Sequence, residues 1–350
     1  MDLVRRRRYE GLVSLWSQQL FASRTSANNR TEQSADLLSA PQVLEDLVEQ
    51  LDANGISYDV LIHNLEEAIQ SENPPIDPEN DELESRGGHR LTWRRYHRYK
   101  GLHAREWISP ATVTYIMLQL VEFRDLHPEL IDSVDWYIMP VANPDGYEYS
   151  HSTDRLWRKT RSGAKANKRW GKRTCYGVDP NRNWDFHWGE DRSSSSDACT
   201  DDFRGPKAFS EPETKAMADF ILTRKDQIKI YLTLHSYSQM WLVPWGYKND
   251  KPKGYYDMYI LAEKGVEALE AVRGTDYLLG TAAELLYTAS GASDDWAKGV
   301  AGIKYSYTIE LPDTGSHGFV LPAHEIEPVG QETWAAVKAI TRHFTDARVP

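Results

Sequence analysis

The chain has 350 residues, 40% hydrophobic and 27% charged, which fits one large globular domain with a smaller appendage. No window reaches the roughly 18 consecutive apolar residues of a membrane-spanning helix. Lys and Arg total 41 against 52 Asp and Glu, and the net charge of -11 disfavours a nucleic-acid partner while favouring cationic ligands wherever acids line a cleft.

The amino-terminal stretch "MDLVRRRRYEGLVSLWSQQLF" opens with charge, but Ser and Gln break its apolar run and no small-residue cleavage site follows, so no signal peptide is expected there. Arg5 to Arg8 read as a solvated turn, and residues 1–41 offer no defined element. Residues 42–75 carry an amphipathic helix closed by Gly55, a short strand from Tyr58 to Ile62 and the start of a second helix, a small α+β unit. Residues 76–89, rich in Pro, Asn and acids, read as an exposed linker with Arg86 as a proteolytic site. A second domain spans 90–350.

In that domain three apolar runs read as buried strands with polar residues only at the carboxyl end: 134–146, ending in Pro-Asp-Gly; 228–237, ending around His235; and 303–315, carrying Glu310. Helical patterns at 109–124, 211–225, 255–273 and 329–346 alternate with them. The fold class expected is α/β, a mixed, mostly parallel twisted sheet flanked by helices. In such sheets ligands bind at the carboxyl edge of the strands. The basic run "KANKRWGKR" (165–173) reads as a solvated loop.

The motif H-x-x-E occurs four times, as His63/Glu66, His103/Glu106, His187/Glu190 and His324/Glu327. A catalytic zinc needs three N or O ligands and one open position for water. His103 and Glu106 stand just ahead of a helix, where a short loop can aim both at one point, and His235 at a strand end supplies a third ligand. His63/Glu66 and His324/Glu327 read as solvated side chains, and His187/Glu190, among aromatics, as a packing group. Glu310 is a candidate general base, with a paired structural carboxylate as its alternative. Cys175 and Cys199 leave a disulfide and two free thiols equally open.

Six blocks, "GLHAREWISP", "NPDGYEYSHSTDRLWRKTRS", "GVDPNRNWDFHW", "LTLHSYSQMWLVPWGY", "LLYTASGASDDWAKGVAGIKYSYTIELPDTGSHGFVLP" and "ETWAAVKAI", resemble in order and spacing the A/B subfamily of zinc metallocarboxypeptidases, and within it the B type. The resemblance implies one Zn²⁺ held by His103, Glu106 and His235, with Glu310 as general base and Arg155 stabilising the oxyanion. It further implies that Asn181, Arg182 and Tyr287 grip the substrate's terminal carboxylate, that Arg105 and Tyr237 contact the peptide, and that Asp179 orients a zinc histidine. Asp294 falls where B-type enzymes carry an acid at the pocket floor and Ala282 at the pocket wall, implying release of C-terminal Lys or Arg. A Cys175–Cys199 disulfide, an extracellular location, a monomer and a zymogen are implied as well, with Asn29 as a glycosylation acceptor.

The resemblance also has gaps. "LTWRRYHRYK" resembles the start of the mature enzyme yet runs straight into "GLHARE", where the family has a helix and several strands, and the activation domain reads as partial. An alternative reading follows, a peptide-binding protein in which Arg182 and Tyr287 still hold a C-terminus while the metal loop has lost its supporting strand.

Overall fold

In the computed structural model the described residues are 2–7, 21–27, 33–39, 41–74, 93–97, 102–163, 165–166, 174–190 and 193–345, those before residue 44 as backbone only. The expected linker with Arg86, Asn29 and most of the 165–173 run lie outside them.

The first unit is built on four antiparallel strands, β1 (Asp2–Arg7), β2 (Phe21–Ala27), β3 (Gln33–Ser39) and β4 (Ser57–Ile62), in the order β2-β3-β1-β4. The segment read from sequence as offering no defined element supplies three strands. β1 pairs β3 on one side and β4 on the other, and the helix Pro41–Ala53 connects β3 to β4. Leu47, Leu51 and Ile56 form its small core. The short helix Leu65–Ser71 is capped by the Asn64 side chain, which accepts from the Glu67 N–H, and it packs Leu65 and Ile69 against Val320 and Leu156 of the second unit.

A two-residue ribbon, β5 (Lys165–Ala166) with β6 (Thr174–Cys175), carries the Cys175–Cys199 disulfide. The main sheet follows: β7 (Ile230–Ser236), β8 (Met240–Val243), β9 (Leu278–Thr281) and β10 (Tyr305–Leu311), ordered β7-β10-β8-β9. β10 runs parallel to β7 and antiparallel to β8, and β8 runs parallel to β9. The sheet is thus mixed and mostly parallel, as expected. β10 is central, and its side chains alternate as a pleat requires. Tyr305, Tyr307, Ile309 and Leu311 enter the large core with Trp241, Met258, Leu261 and Ile340, covered by the helices Tyr255–Arg273 and Ile326–Thr345. The even-numbered residues face the opposite way, and Ser306 there donates to the Asp294 carbonyl. A second core on that side joins Trp184, Trp296 and Ile303 to the helix Pro212–Arg224.

One expected strand is absent. Residues 134–139 are extended but unpaired, and at Pro144 the chain turns into the helix Pro144–Ser152, whose Asn143 cap accepts from the Gly146 N–H. A buried parallel strand needs a neighbour on its hydrogen-bonding edge. Among the described residues β7 ends the sheet, and no strand precedes Gly101 to bridge the distance. Tyr137 and Met139 are consequently about half exposed, at 46% and 56%.

Gly291 joins the second core to the sheet edge. It has φ +74°, its N–H donates to the Phe186 carbonyl, its carbonyl accepts from Trp184, and an added Cβ would stand 2.5 Å from the Arg182 carbonyl. Gly291→Ala should therefore cost about 3 kcal/mol of unfolding free energy from backbone strain and collision, read as a lowered denaturation midpoint at unchanged m-value.

Candidate metal centre and substrate cavity

β7 and β10 end together, with His235 opposite Glu310 in their parallel register. The loop ahead of the helix Ile108–Val121 meets that edge. Among the described residues no strand supports this loop, and the segment 150–158 does so instead. The Ala104 N–H donates to the Arg158 carbonyl at 3.1 Å, Ser150 Oγ donates to the Ala104 carbonyl at 3.0 Å, Trp107 Nε1 donates to Ser150 Oγ at 2.9 Å, and the Arg155 guanidinium donates to the Arg105 carbonyl at 2.8 Å. Trp107 also stacks on His151, with ring centroids 3.8 Å apart.

Thus held, His103, Glu106 and His235 converge, all buried, with candidate ligand atoms within 4.8 Å of one another. His103 Nδ1 lies 2.8 Å from Glu106 Oε1, and His235 Nδ1 lies 3.0 Å from both Glu106 Oε2 and His103 Nδ1. Each imidazole turns its other nitrogen outward to a fixed acceptor, His103 Nε2 to Asp179 Oδ1 at 3.1 Å and His235 Nε2 to Thr233 Oγ1 at 3.1 Å. Outward protons leave two Nδ1 lone pairs and a carboxylate facing one point, an unfavourable arrangement on its own and the donor set of a divalent cation. The residues fit zinc.

Electrostatics agree. Burial would raise the Glu106 carboxyl, but His103 and His235 hold it below the usual carboxylate range. Burial likewise opposes ionisation of Asp179, yet Arg158 and His103 keep its carboxyl well below its ordinary value. Burial and then Arg158 lower His103, so its neutral, ligating form is favoured; for His235 burial acts the same way but Glu106 outweighs it and raises the pKa. Glu310 is pushed up to about 7, chiefly by desolvation, with His235 opposing.

A cleft opens on this cluster, lined by Glu310, Arg158, Asn181, Arg182, Tyr237, Tyr287, Ala282 and Asp294 among others. Seven of the residues expected from sequence to touch substrate or do chemistry thus surround it with the metal ligands. Arg182 donates to the Tyr287 hydroxyl at 3.1 Å while its Nε has no partner although buried; Asn181 Oδ1 accepts from the Ser293 N–H at 2.9 Å. Asp294 is 3% exposed, raised by desolvation, and no cation among the described residues pairs with it.

Two expected residues stand elsewhere. Arg105 lies over the Phe319 ring at 4.3 Å and donates to Asp201 at 2.9 Å, at the rim rather than on the cleft wall. Arg155 is not at the cleft. Its guanidinium lies 3.6 Å over Trp107, donates to the Phe319 carbonyl at 2.6 Å and forms a two-pronged ion pair with Glu72 of the first unit at 2.7 and 2.5 Å. The guanidinium that reaches the cleft is that of Arg158, three residues on, held by Asp179 at 2.9 Å and 3.5 Å from Glu106. Sequence offers two arginines in "DRLWRK", and only the turn of the chain at 154–158 decides between them. Ser236, whose buried Oγ has no partner, and Phe319 also line the cleft and were not singled out from sequence. His187 stacks on Tyr247 at 3.7 Å, the packing role expected, whereas the linker-side His63/Glu66 pair has no part in the cluster.

Residues 95–336 match the zinc carboxypeptidase family and residues 6–72 the carboxypeptidase activation peptide. The chain is a zinc carboxypeptidase. It is 48% identical over 70% of its length to carboxypeptidase B of Astacus astacus, covering 79% of that protein, and 44% identical over 70% to carboxypeptidase A2 of Rattus norvegicus, covering 58% of it. The chain therefore spans little more than half the length of some of the relatives it matches. Among solved structures it is similar to thrombin-activatable fibrinolysis inhibitor, with a TM-score of 0.80, 28% identity, and 99% and 98% of the two chains covered. The match to the activation peptide extends through residues 6–41, in keeping with the three strands found there.

Asp179→Asn keeps the size of the side chain but removes the charge that fixes the His103 tautomer. Zinc affinity should fall about 10- to 100-fold, measured by competition with a chromophoric chelator, with little change in far-UV circular dichroism.

Proposed function

We propose that this zinc carboxypeptidase is a zymogen whose mature form releases C-terminal Lys or Arg from peptides. The observation carrying the basic specificity is Asp294: a carboxylate 3% exposed, lining the cleft, with no cationic partner among the described residues. A buried unpaired charge is costly, and a substrate ammonium or guanidinium relieves that cost where a phenyl ring cannot. Small Ala282 leaves room for the long side chain.

The terminal carboxylate binds Arg182, with Asn181 and the Tyr287 hydroxyl beside it, placing the last peptide bond near the His-Glu-His cluster. Zinc held there by His103, Glu106 and His235 would supply a Lewis acid and acidify a water. Glu310, its carboxyl pushed up to about 7 by burial, is placed to take a proton from water in the cleft and deliver it to the departing amine. Arg158, fixed by Asp179, provides the positive charge for the carbonyl oxygen, the role first given to Arg155. In the zymogen the first unit packs Leu65 and Ile69 against Val320 and Leu156 beside the cleft, and Glu72 engages Arg155. The ties between residues 150–158 and the metal loop favour the enzyme over the non-catalytic peptide-binding alternative.

After proteolytic removal of the first unit, kcat/KM should be at least tenfold higher for a blocked dipeptide ending in Arg than for one ending in Phe, and Asp294→Asn should erase that preference. A preference for Phe overturns the basic specificity, and a zinc content far below one per chain overturns the enzyme reading. Arg158→Ala should lower kcat about 100- to 1,000-fold, while Arg155→Ala, which loosens the metal loop without removing charge from the cleft, should lower kcat by no more than about tenfold.

A further inference from the structure

Immediately after Asp294 stands a second acid, Asp295, which is fully buried at 0% exposure and does not face the cleft. Its carboxylate accepts from the Gly246 N–H with both oxygens, at 2.9 and 3.0 Å, and from the Tyr247 N–H at 2.9 Å. Among the described residues no Lys, Arg or His pairs with it.

Those two N–H groups belong to Gly246, which lines the pocket, and to its neighbour Tyr247. The carbonyls of the same segment point the other way: Trp245 O accepts from Ala283 N at 3.2 Å and Gly246 O from Ala289 N at 2.8 Å. The segment is therefore strung between two supports. One is the stretch 282–289, which carries Ala282 and Tyr287. The other is the Asp295 carboxylate, one residue from Asp294 on the same helical turn, Ser293–Gly299. Distance across the pocket, from the wall at Gly246 to the acid at Asp294, is fixed through Asp295.

A Cβ built on Gly246 would lie 3.6 Å from Asp295 Oδ2, 3.5 Å from Ala282 Cβ and 3.6 Å from the Ala289 carbonyl, so the Gly246 backbone is seated between the Asp295 carboxyl and the 282–289 stretch.

We propose that Asp295 is a positioning residue of the specificity pocket, its hydrogen bonds holding Gly246 and Tyr247 in register with Asp294. The inference stands on those hydrogen bonds, and its bearing on specificity rests on the reading of the pocket above.

The test compares the whole chain after removal of its first unit, as wild type, Asp295→Asn and Asp295→Ala, in calorimetric titrations with N-acetylarginine and N-acetylcitrulline, the uncharged isostere. Asn keeps an acceptor for the two N–H groups and should leave both ligands within about threefold. Ala removes the support and should weaken both ligands by about tenfold or more. Thermal melts establish that each variant is folded, and if Asp295→Ala does not fold, Asp295→Ser takes its place. Unchanged affinity for both ligands in the folded Ala or Ser variant overturns positioning. If instead wild type binds N-acetylphenylalanine more tightly than N-acetylarginine and Asp294→Asn alters neither, the basic-specificity reading has failed, and the Ala variant measured with N-acetylphenylalanine still decides positioning.

Discussion

The parallel pairing of β7 with β10 is the constraint on which the rest of the site depends. It sets His235 opposite Glu310 at one sheet edge, so a ligand and a proton acceptor arrive together from positions 75 residues apart in sequence. A slip of one residue in this register would turn one of the two side chains into the opposite face. The slip is prevented by the odd-numbered residues of β10, whose two tyrosines, Ile309 and Leu311 are matched to the large core. Hydrophobic packing on one face of the strand thereby determines chemistry on the other.

Around that edge, charges are arranged in a chain rather than as isolated pairs. Arg158 bridges Asp179 and Glu106, Asp179 fixes His103, and Glu106 stands between the two imidazoles. Every member is buried or nearly so, and each depends on its neighbours for its protonation state. By contrast Asp294 is left without a counter-charge, and Arg182 keeps an unpartnered Nε in the same cleft. An acid without a counter-charge and a guanidinium nitrogen without a partner thus face the same space.

Much of this was legible in the residues. Apolar runs ending in His235 and Glu310 announce strands with chemistry at one edge, and helix boundaries from 109 onward lie within a few residues of those found. What sequence could not reveal is governed by partners far away in the chain. The run at 134–146 has the composition of a buried strand, but with no neighbouring strand to pair it stays unpaired until Asn143 caps a helix. The strands before residue 41 have mixed, polar sequences and are specified by pairing with one another, and of β1 with β4, more than by their own pattern. Arg155 and Arg158 are chemically identical, and the choice between them is made by Glu72, 83 residues away, which takes the first and leaves the second to the cleft. Asp295 escaped attention because its partners are backbone N–H groups, which carry no residue-specific signal.

The Glu72 to Arg155 pair has a kinetic consequence. Both oxygens of the acid are used, the pair is buried, and the Glu72 carbonyl also accepts from the Ala323 N–H at 2.9 Å. These attachments, with the contacts of Leu65 and Ile69, do not require a continuous peptide between the two units. Cutting the connecting stretch therefore changes the effective concentration of the first unit around the cleft without breaking any of its contacts, and a nicked, still-associated complex precedes the free enzyme. Onset of activity then follows the escape rate of the severed piece, and dilution, which leaves an uncut chain unaffected, accelerates it.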